Sequence, residues 1–298
     1  MDFSAIGQKI KELRKQSGLS QVELAEGICT QAQISKIEKG DVYPYASTLY
    51  LISERLGVDV NYFFDIGMTP RLDYVQEVMN QLKMARKTRN YKEIQEIINM
   101  EGKNPLFIQN KRNYQVLLWN KGICEYELYK NVEGSIKILQ EAINLTHTTE
   151  KIYSERELEI LLSMGVIYSE DNQLIQALTV YENAHTHLKA LPFLNDHSIK
   201  TRILYSIAWT ETRLKKYQDS IKHCEEAIRW CLQKDHLLLL GELHYHLGYN
   251  YELLGNFQEA YQFMNKAKLV FELQNVQNFA TFIENKLLDW QQKQQVSL

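Results

Sequence analysis

Proline and glycine are scarce in this chain, whose 298 residues include 4 prolines and 13 glycines. Many-stranded sandwiches need tight turns rich in these residues, so their scarcity argues against such folds and favours long helices. Long apolar runs are missing as well. No stretch approaches about 20 uninterrupted apolar residues, so we expect no membrane span. The N-terminal segment lacks the apolar region of a secretory signal, and we therefore expect a cytoplasmic protein.

Residues that would indicate catalysis or metal binding are also few. The four cysteines are scattered and form no CxxC pair, so neither a zinc site nor a redox motif is indicated. His244 and His246, like His185 and His187, are two residues apart and would point in different directions on a helix. The chain has no catalytic Ser/His/Asp order, P-loop or glycine-rich phosphate loop. We therefore predict no enzyme, no metal site and no cofactor.

Two short predicted helices lie within the first 40 residues. Ser20 and Glu23 have the spacing of a capping box and begin the first of them. Thr30 begins the second, with Gln33 at the capping-box position, and Gly40 suits the left-handed end of that helix. The second helix has too few apolar residues to be explained by burial, whereas its Gln, Ser and Lys side chains suit base edges and phosphates. This pattern predicts a helix-turn-helix.

The run from Ile6 to Val60 resembles the Cro/phage-repressor type of DNA-binding domain, most specifically in the segments LRKQSGLSQVELA and SKIEKG. The resemblance implies that residues 31–39 enter the major groove and that residues 41–45 follow the sugar–phosphate backbone. It also implies that Gln21 contacts a phosphate. The predicted DNA-binding residues are Gln31, Gln33, Ser35 and Lys36 for base readout, Gln21, Lys39 and Tyr43 for phosphates, and Thr30 at the start of the helix.

The charge of this region predicts its oligomeric state. Residues 1–65 contain seven Lys or Arg and nine Asp or Glu, so the region is not basic. Because phosphate neutralisation supplies much of the affinity for DNA, we expect one copy to bind weakly. Tight binding then needs two copies on a palindromic operator, with their recognition helices about 34 Å apart or a multiple of that distance. We therefore predict a homodimer.

Beyond residue 70 the chain repeats with a period of 40 to 43 residues. The pattern resembles tetratricopeptide repeats, which are paired antiparallel helices with small residues where the helices approach. It predicts an all-α chain in which the helix-turn-helix domain is followed by a right-handed superhelix of about five helical hairpins with a concave face. The aligned positions are Leu82, Gly122, Gly165, Ala208 and Gly248 at the lead, Tyr91, Asn131, Leu174, Tyr217 and Phe257 after the turn, and Ile94, Gly134, Ala177, Ser220 and Ala260 at the packing site.

The predicted domains are residues 1–65 for DNA binding, 66–75 as a linker and 76–298 for regulation and dimerisation. Thr69 and Pro70 have the pattern of a helix cap followed by the first helical residue. The combination resembles the peptide-responsive, quorum-sensing transcriptional regulators of Gram-positive bacteria. That resemblance implies a sequence-specific regulator that is a domain-swapped homodimer; activation is the expected output, and the sequence leaves repression open. It also implies a short signalling peptide, secreted, processed and re-imported, that binds in the repeat groove, with RNA polymerase as a further candidate partner.

The candidate peptide-binding residues come from this resemblance and from the predicted concave face. The resemblance assigns a contact to the basic pair Lys87 and Arg89. It also implies a peptide of different sequence, since Val166 and Ser206 stand near places where the wider family has asparagines that hold the peptide backbone. The remaining candidates are Tyr205, Trp209, Glu242, Tyr245, Tyr249, Asn250 and Phe279.

Two alternative functions stay open at this point. The chain would be a constitutive phage- or plasmid-type repressor if the repeats served only dimerisation, and it would then bind DNA without any peptide. A repeat adaptor that sequesters another protein is the second alternative. The polar recognition helix argues against the adaptor, because such relatives lack one.

Overall fold

The computed structural model describes residues 2–149 and 151–295, and these residues form helices and connecting turns without any strand. Contacts divide the chain into two compact units, Met1–Asn120 and Lys121–Leu298. None of the helices in the described ranges is long and apolar enough to cross a membrane. The all-α prediction is confirmed.

The first unit contains eight helices and the beginning of a ninth. They are α1 (Phe3–Gln16), α2 (Gln21–Ala25), α3 (Gln31–Lys39), α4 (Ala46–Leu56), α5 (Val60–Met68), α6 (Leu72–Lys87), α7 (Tyr91–Glu101), α8 (Pro105–Ile108) and α9 (Lys111–Tyr129). The second unit contains the rest of α9, followed by α10 (Val132–Asn144), α11 (Glu155–Glu170), α12 (Leu174–Ala190), α13 (Ser198–Arg213), α14 (Tyr217–Gln233), α15 (Leu240–Leu253), α16 (Phe257–Leu273) and α17 (Gln277–Gln295).

Helices α1 to α5 form a helix-turn-helix domain around one aliphatic core. The predicted helix starts are confirmed, since Ser20 and Glu23 form a complete capping box and the hydroxyl of Thr30 caps α3. Gly7 lets α1 lie close against α3, because a Cβ there would be 2.0 Å from the carbonyl oxygen of Ile37. The core consists of Ile6, Ile10, Leu24, Ala25, Ile34, Ile37, Leu49, Ile52, Leu56 and Phe63.

The junction after this domain differs from the sequence prediction. Thr69 ends α5 rather than capping the next helix, and α6 begins only at Leu72. Arg71, with a φ of 51°, occupies the left-handed region and turns the chain, so no helix begins at Pro70. Of the predicted linker, residues 66–75, only residues 69–71 lie between helices.

Five helical hairpins follow, as the sequence period predicted: α6/α7, α9/α10, α11/α12, α13/α14 and α15/α16, with α17 after the last. The turn inside each hairpin has one residue in the left-handed region. In the first hairpin the backbone N–H of the next residue, Asn90, then donates to the carbonyl oxygen of Ala85, five residues back. Such a bond satisfies a free carbonyl at the end of the first helix. The left-handed residues are Arg89, Lys130, Asn172, Lys215 and Gly255.

Small residues let the paired helices approach, as predicted. A Cβ on Gly165 would lie 2.2 Å from the ring of Tyr181, and one on Gly122 would lie 2.6 Å from Leu139. The alanine at the third packing site, Ala177, is fully buried.

The predicted alignment of the second repeat is wrong by one residue after its turn. Ser135, not Gly134, occupies the buried packing site, and its hydroxyl donates to the carbonyl oxygen of Gly122 at 2.5 Å. The reason is a longer turn: the N–H of Asn131 bonds to Glu125, six residues back, where the other hairpins use five. The residue after the turn is therefore Val132, the first residue of α10.

Candidate functional site

Helix α3 presents a polar face to solvent. Gln31, Lys36 and Lys39 are exposed, and Gln33 and Ser35 are half-buried. The opposite side of the helix is buried through Ile34, Ile37 and Glu38, which face the domain core. The side chains that the sequence predicted for base readout thus lie on the side of α3 that is not packed against the core.

A buried ion pair that the sequence analysis missed joins α1 to α3. The guanidinium Nε of Arg14 lies 2.5 Å from Oε1 of Glu38, and both residues are less than 10% exposed, at 8% and 6%. A second guanidinium nitrogen of Arg14 donates to the carbonyl oxygen of Leu19. Burial alone would raise the pKa of Glu38, but hydrogen bonds from Arg14 and Gln21 outweigh it and hold that pKa below its usual value. The sequence did contain a signal for this ion pair. Arg14 lies in the segment LRKQSGLSQVELA and Glu38 in SKIEKG, and each is the one charged residue on an otherwise apolar helix face.

Gln21 links this ion pair to the reading face. Its side-chain amide donates to Oε2 of Glu38 at 2.8 Å and accepts from the amide of Gln31 at 2.8 Å. Gln31 is thereby held at the N-terminal end of α3. The predicted phosphate contact of Gln21 stays a prediction.

The remaining predicted DNA contacts lie at the two ends of α3. The hydroxyl of Thr30 accepts from the backbone N–H of Gln33 at 3.2 Å, so the side chain of Gln33 is not part of the cap. Tyr43, in the loop after α3, is 68% exposed, and its ring centroid is 4.0 Å from that of Phe3. The loop is therefore anchored to α1 through aromatic contact, and its other residues face solvent.

Two of the seven basic residues in this domain are used internally. Arg14 is buried, and the guanidinium of Arg55 donates to the carbonyl oxygens of Glu23, Leu24 and Glu26 at the end of α2. Five lysines remain for contact with phosphates, and one of them, Lys9, is paired with Glu12 at 3.1 Å. This sharpens the expectation that a single domain binds DNA weakly.

The basic residues at the end of α6 separate into two kinds. The guanidinium of Arg86 lies 4.2 Å from the ring centroid of Trp119 and donates to Oδ1 of Asn120, so it belongs to the packing of the first unit. Lys87 and Arg89 are exposed, and Arg89 occupies the left-handed position of the first hairpin turn. Of these three residues, Lys87 and Arg89 are therefore the exposed ones.

In the second unit, the first helices of the last two hairpins and the final helix α17 carry a set of neighbouring rings, which we call the aromatic face. It consists of Tyr205 and Trp209 on α13, Tyr245 and Tyr249 on α15, and Phe282 on α17. Tyr245 and Tyr249 stack at 6.3 Å with an interplanar angle of 3°, and Tyr245 lies 6.2 Å from Phe282. Trp209 is 42% exposed and Phe282 is 53% exposed. Four residues that the sequence placed on the concave side therefore do lie together.

A buried polar network lies against this face. The ring of His246, fully buried, is 5.2 Å from Trp209, and its Nε2 is 2.9 Å from the hydroxyl of Thr212. Asn250, which the sequence placed among the peptide contacts, is also fully buried: it donates to Ser220 and to the carbonyl oxygen of His246 and accepts from Thr212. Its amide is therefore used to join α13, α14 and α15. Burial lowers the pKa of His246 to about 4, so the ring is neutral at pH 7.

Glu242 and Phe279 lie at the edges of the aromatic face. Glu242 is half-buried on the first turn of α15. Burial, and after it the charge of Glu242, raises the pKa of Tyr205 to about 12. Phe279 is 50% exposed and stacks on Phe271 of α16 at 5.2 Å. In the described parts of the chain, no group of three or more His, Cys, Asp or Glu could hold a metal ion.

Residues 79–290 match the RNPP family C-terminal domain, and residues 10–63 match a helix-turn-helix family. A comparison with curated proteins gave no match. Among solved structures, the chain resembles Bacillus thuringiensis PlcR in complex with the peptide PapR7 and DNA, with 24% identity, a TM-score of 0.81 and coverage of 94% of this chain and 99% of that one.

Two further structures are similar at lower identity. ComR from S. thermophilus, in complex with DNA and its signalling peptide ComS, has 17% identity and a TM-score of 0.59 over 95% of this chain and 99% of that one. The Streptococcus dysgalactiae SHP pheromone receptor Rgg2 has 13% identity and a TM-score of 0.64 over 95% and 99%. At these identities the similarity establishes a shared fold.

Proposed function

Because the chain belongs to the RNPP family, we propose that it is a sequence-specific transcriptional regulator, an activator, whose binding to DNA is controlled by a short peptide. Helix α3 reads the operator, and the peptide binds on the repeats. The observation that carries this proposal is the pairing, in one chain, of a solvent-facing polar α3 with an exposed aromatic face on helical repeats. A regulator of this kind works in the cytoplasm, on a re-imported peptide.

The DNA half of the proposal rests on α3. Gln31 and Gln33 offer amide groups suited to adenine, and Ser35 can contact either strand. Lys36 suits guanine, and Lys39 suits phosphate. With Arg14 and Arg55 used internally, the domain offers too few cations to hold one half-site alone. The active form is therefore a homodimer on a palindromic operator.

The peptide half rests on the aromatic face. Tyrosine and tryptophan offer large contact area with few rotors to order, which suits a short flexible ligand. Lys87 and Arg89 supply exposed positive charge for a carboxylate of the peptide. The chain has no asparagine at the positions of Val166 and Ser206, which supports a peptide sequence different from those of relatives.

Peptide and DNA contact different residues, so the peptide acts only by binding one dimer arrangement more tightly than another. A coupling free energy of about 1–3 kcal/mol would change operator affinity by about 5- to 150-fold. The operator must raise peptide affinity by the same factor.

The test uses the full chain, an operator duplex selected from random-sequence DNA, and synthetic peptides from small open reading frames beside the gene. Peptide affinity is measured by calorimetry with and without operator. We expect the two to be coupled. If the chain binds the operator without peptide, and its affinity for peptide does not depend on operator, it is instead a constitutive repressor whose repeats serve only dimerisation.

The basic pair is tested with Lys87→Ala/Arg89→Asn. Asparagine is chosen because it tolerates the left-handed backbone at position 89. We expect weaker peptide binding with unchanged operator binding in the absence of peptide. The charge-matched control, Lys92→Ala/Lys103→Ala, removes two exposed cations from the same unit. If the first variant binds peptide with wild-type affinity, Lys87 and Arg89 are only the solvated end of a helix and do not contact the peptide.

A further inference from the structure

The charged residues next to the aromatic face are not all neutralised. On α13, Arg202 binds Glu159 of α11 at 2.8 Å. At the other end of the face, Lys286 of α17 binds Glu252 of α15 at 2.6 Å. Glu242, on the first turn of α15, has no such partner: in the described parts of the chain its carboxylate makes no ion pair and no hydrogen bond. One half-buried negative charge is therefore left on this surface.

The surroundings of Glu242 are rings. Tyr245 lies three residues further along the same helix, and i and i+3 side chains of a helix are neighbours. Tyr205 of α13 is near enough for the charge of Glu242 to raise its pKa. Aromatic faces attract ammonium and guanidinium groups, and more strongly where water is excluded. A carboxylate near phenol rings is therefore complementary to an organic cation.

The polar network behind the rings is incompletely paired. His246 is fully buried, and its ring centroid is 6.0 Å from that of Tyr205. Its Nε2 is bonded to Thr212, but its Nδ1 has no hydrogen-bond partner. An unpaired buried nitrogen of this kind costs free energy, so the polar network behind the rings is not fully satisfied.

We propose that Glu242, flanked by Tyr205 and Tyr245, receives a positively charged group of the bound peptide, either its α-ammonium or a Lys or Arg side chain. The inference rests on the proposed peptide-binding function and adds a rule for ligand choice. The peptide carries a cation that reaches Glu242, while its apolar side chains lie on Trp209, Tyr249 and Phe282. Binding neutralises a half-buried carboxylate that folding leaves unpaired.

The test uses four pools of random heptapeptides. Peptides that bind the full-length chain are captured on it and identified by mass spectrometry. The pools have a free N-terminus with or without Lys and Arg, or an acetylated N-terminus with or without Lys and Arg. We expect binders from every pool that contains a cation, and affinities lower by about tenfold or more from the acetylated pool without Lys and Arg. The acetylated pool with Lys and Arg distinguishes side-chain cations from the α-ammonium.

The same peptides are then measured against Glu242→Gln, with Glu259→Gln as the charge-matched control on the outer helix α16. We expect Glu242→Gln to lose the preference for cationic peptides while it still binds the uncharged ones, and Glu259→Gln to keep the preference. Equal affinities across the four pools, or a preference that survives in Glu242→Gln, would overturn the inference. Wild-type protein that captures no peptide from any pool would overturn the peptide-binding function itself, and this inference with it.

Discussion

The recognition helix and the aromatic face arrange polar and apolar groups in opposite ways. Helix α3 turns amides, a hydroxyl and lysines outward, and its buried side is aliphatic except for the ion pair of Glu38 with Arg14. In the repeats the rings of Trp209 and Phe282 are outward, and a neutral polar network around Asn250 lies inside. DNA offers hydrogen-bonding edges and phosphates, whereas a short peptide offers apolar side chains, so each surface is complementary to a different ligand.

The two regions also differ in what holds their functional side chains in position. In the helix-turn-helix, a charged pair and Gln21 lead directly to the reading residue Gln31. In the repeats, His246 and Thr212 support the rings through neutral hydrogen bonds. A broken buried ion pair costs more than a broken neutral hydrogen bond, so single substitutions and acid should affect the two regions differently.

The largest expected effect comes from breaking the buried ion pair. Glu38→Ala leaves the guanidinium of Arg14 buried without its partner, and we expect the helix-turn-helix to lose about 3–5 kcal/mol of unfolding free energy. All four tryptophans lie beyond residue 118, so their fluorescence does not report on this domain. Hydrogen exchange of peptides from residues 1–65 measures it instead. The double variant Arg14→Met/Glu38→Leu removes both charges and should recover most of the loss; unchanged exchange in Glu38→Ala would refute the role of the pair.

Acid should separate the two regions. Burial lowers the pKa of His185, His244 and His246 to about 4. These rings are neutral when folded and take up protons on unfolding below about pH 6.5, so they leave the stability of the repeats undiminished above that pH and lower it towards pH 4. Glu38 has a lowered pKa, and its contribution is lost only below the ordinary range of a glutamate.

His223 works in the opposite sense. Its hydrogen bond to Glu211 raises its pKa, so its contribution is present below about pH 6.5 and is lost as the pH rises through the raised value. We expect the three histidines whose pKa is lowered to about 4 to dominate. Tryptophan fluorescence of the repeats should therefore change between about pH 6 and 4, before hydrogen exchange in residues 1–65 does. If both regions lost structure at the same pH, the expected difference in acid stability between them would be wrong.

A smaller effect should follow from filling the closest helix contact in the repeats. Gly165→Ala places a Cβ where the ring of Tyr181 lies, and we expect the repeats to lose about 1–3 kcal/mol of unfolding free energy. Tryptophan fluorescence in urea measures this loss. In a Tyr181→Leu background the opposing ring is absent, so we expect Gly165→Ala to lower the unfolding free energy by less. A variant as stable as wild type would show that the α11/α12 contact relaxes freely.

The most specific effect, which leaves folding stability unchanged, concerns base readout. Gln33→Ala should lower affinity for the selected operator by roughly 1–3 kcal/mol and for random DNA very little. Thr30 bonds to the backbone of residue 33, so the cap survives the substitution. Gln16→Ala, at the exposed end of α1, serves as the control. Equal losses on operator and random DNA would show that Gln33 carries no sequence information.

Local patterns in the sequence were sufficient for several features of this protein. Capping residues, the left-handed stop at Gly40 and the 40- to 43-residue period predicted the helix-turn-helix and the five hairpins, because caps and helix periodicity depend on residues a few positions apart. The polar side chains of α3 and the rings of the first repeat helices could be identified for the same reason. Residues that are three, four or seven apart share a helix face.

The tertiary structure decided what depends on contacts between elements. Arg14 meets Glu38 across 24 positions, Asn250 turns inward to meet Ser220 and Thr212, and Arg86 packs on Trp119. The one-residue shift of the second repeat follows from a longer turn, and no residue pattern in the sequence predicts that turn. Periodicity assigns a side chain to one side of a helix, but it does not determine whether a neighbouring helix covers that side. That depends on how the hairpins stack.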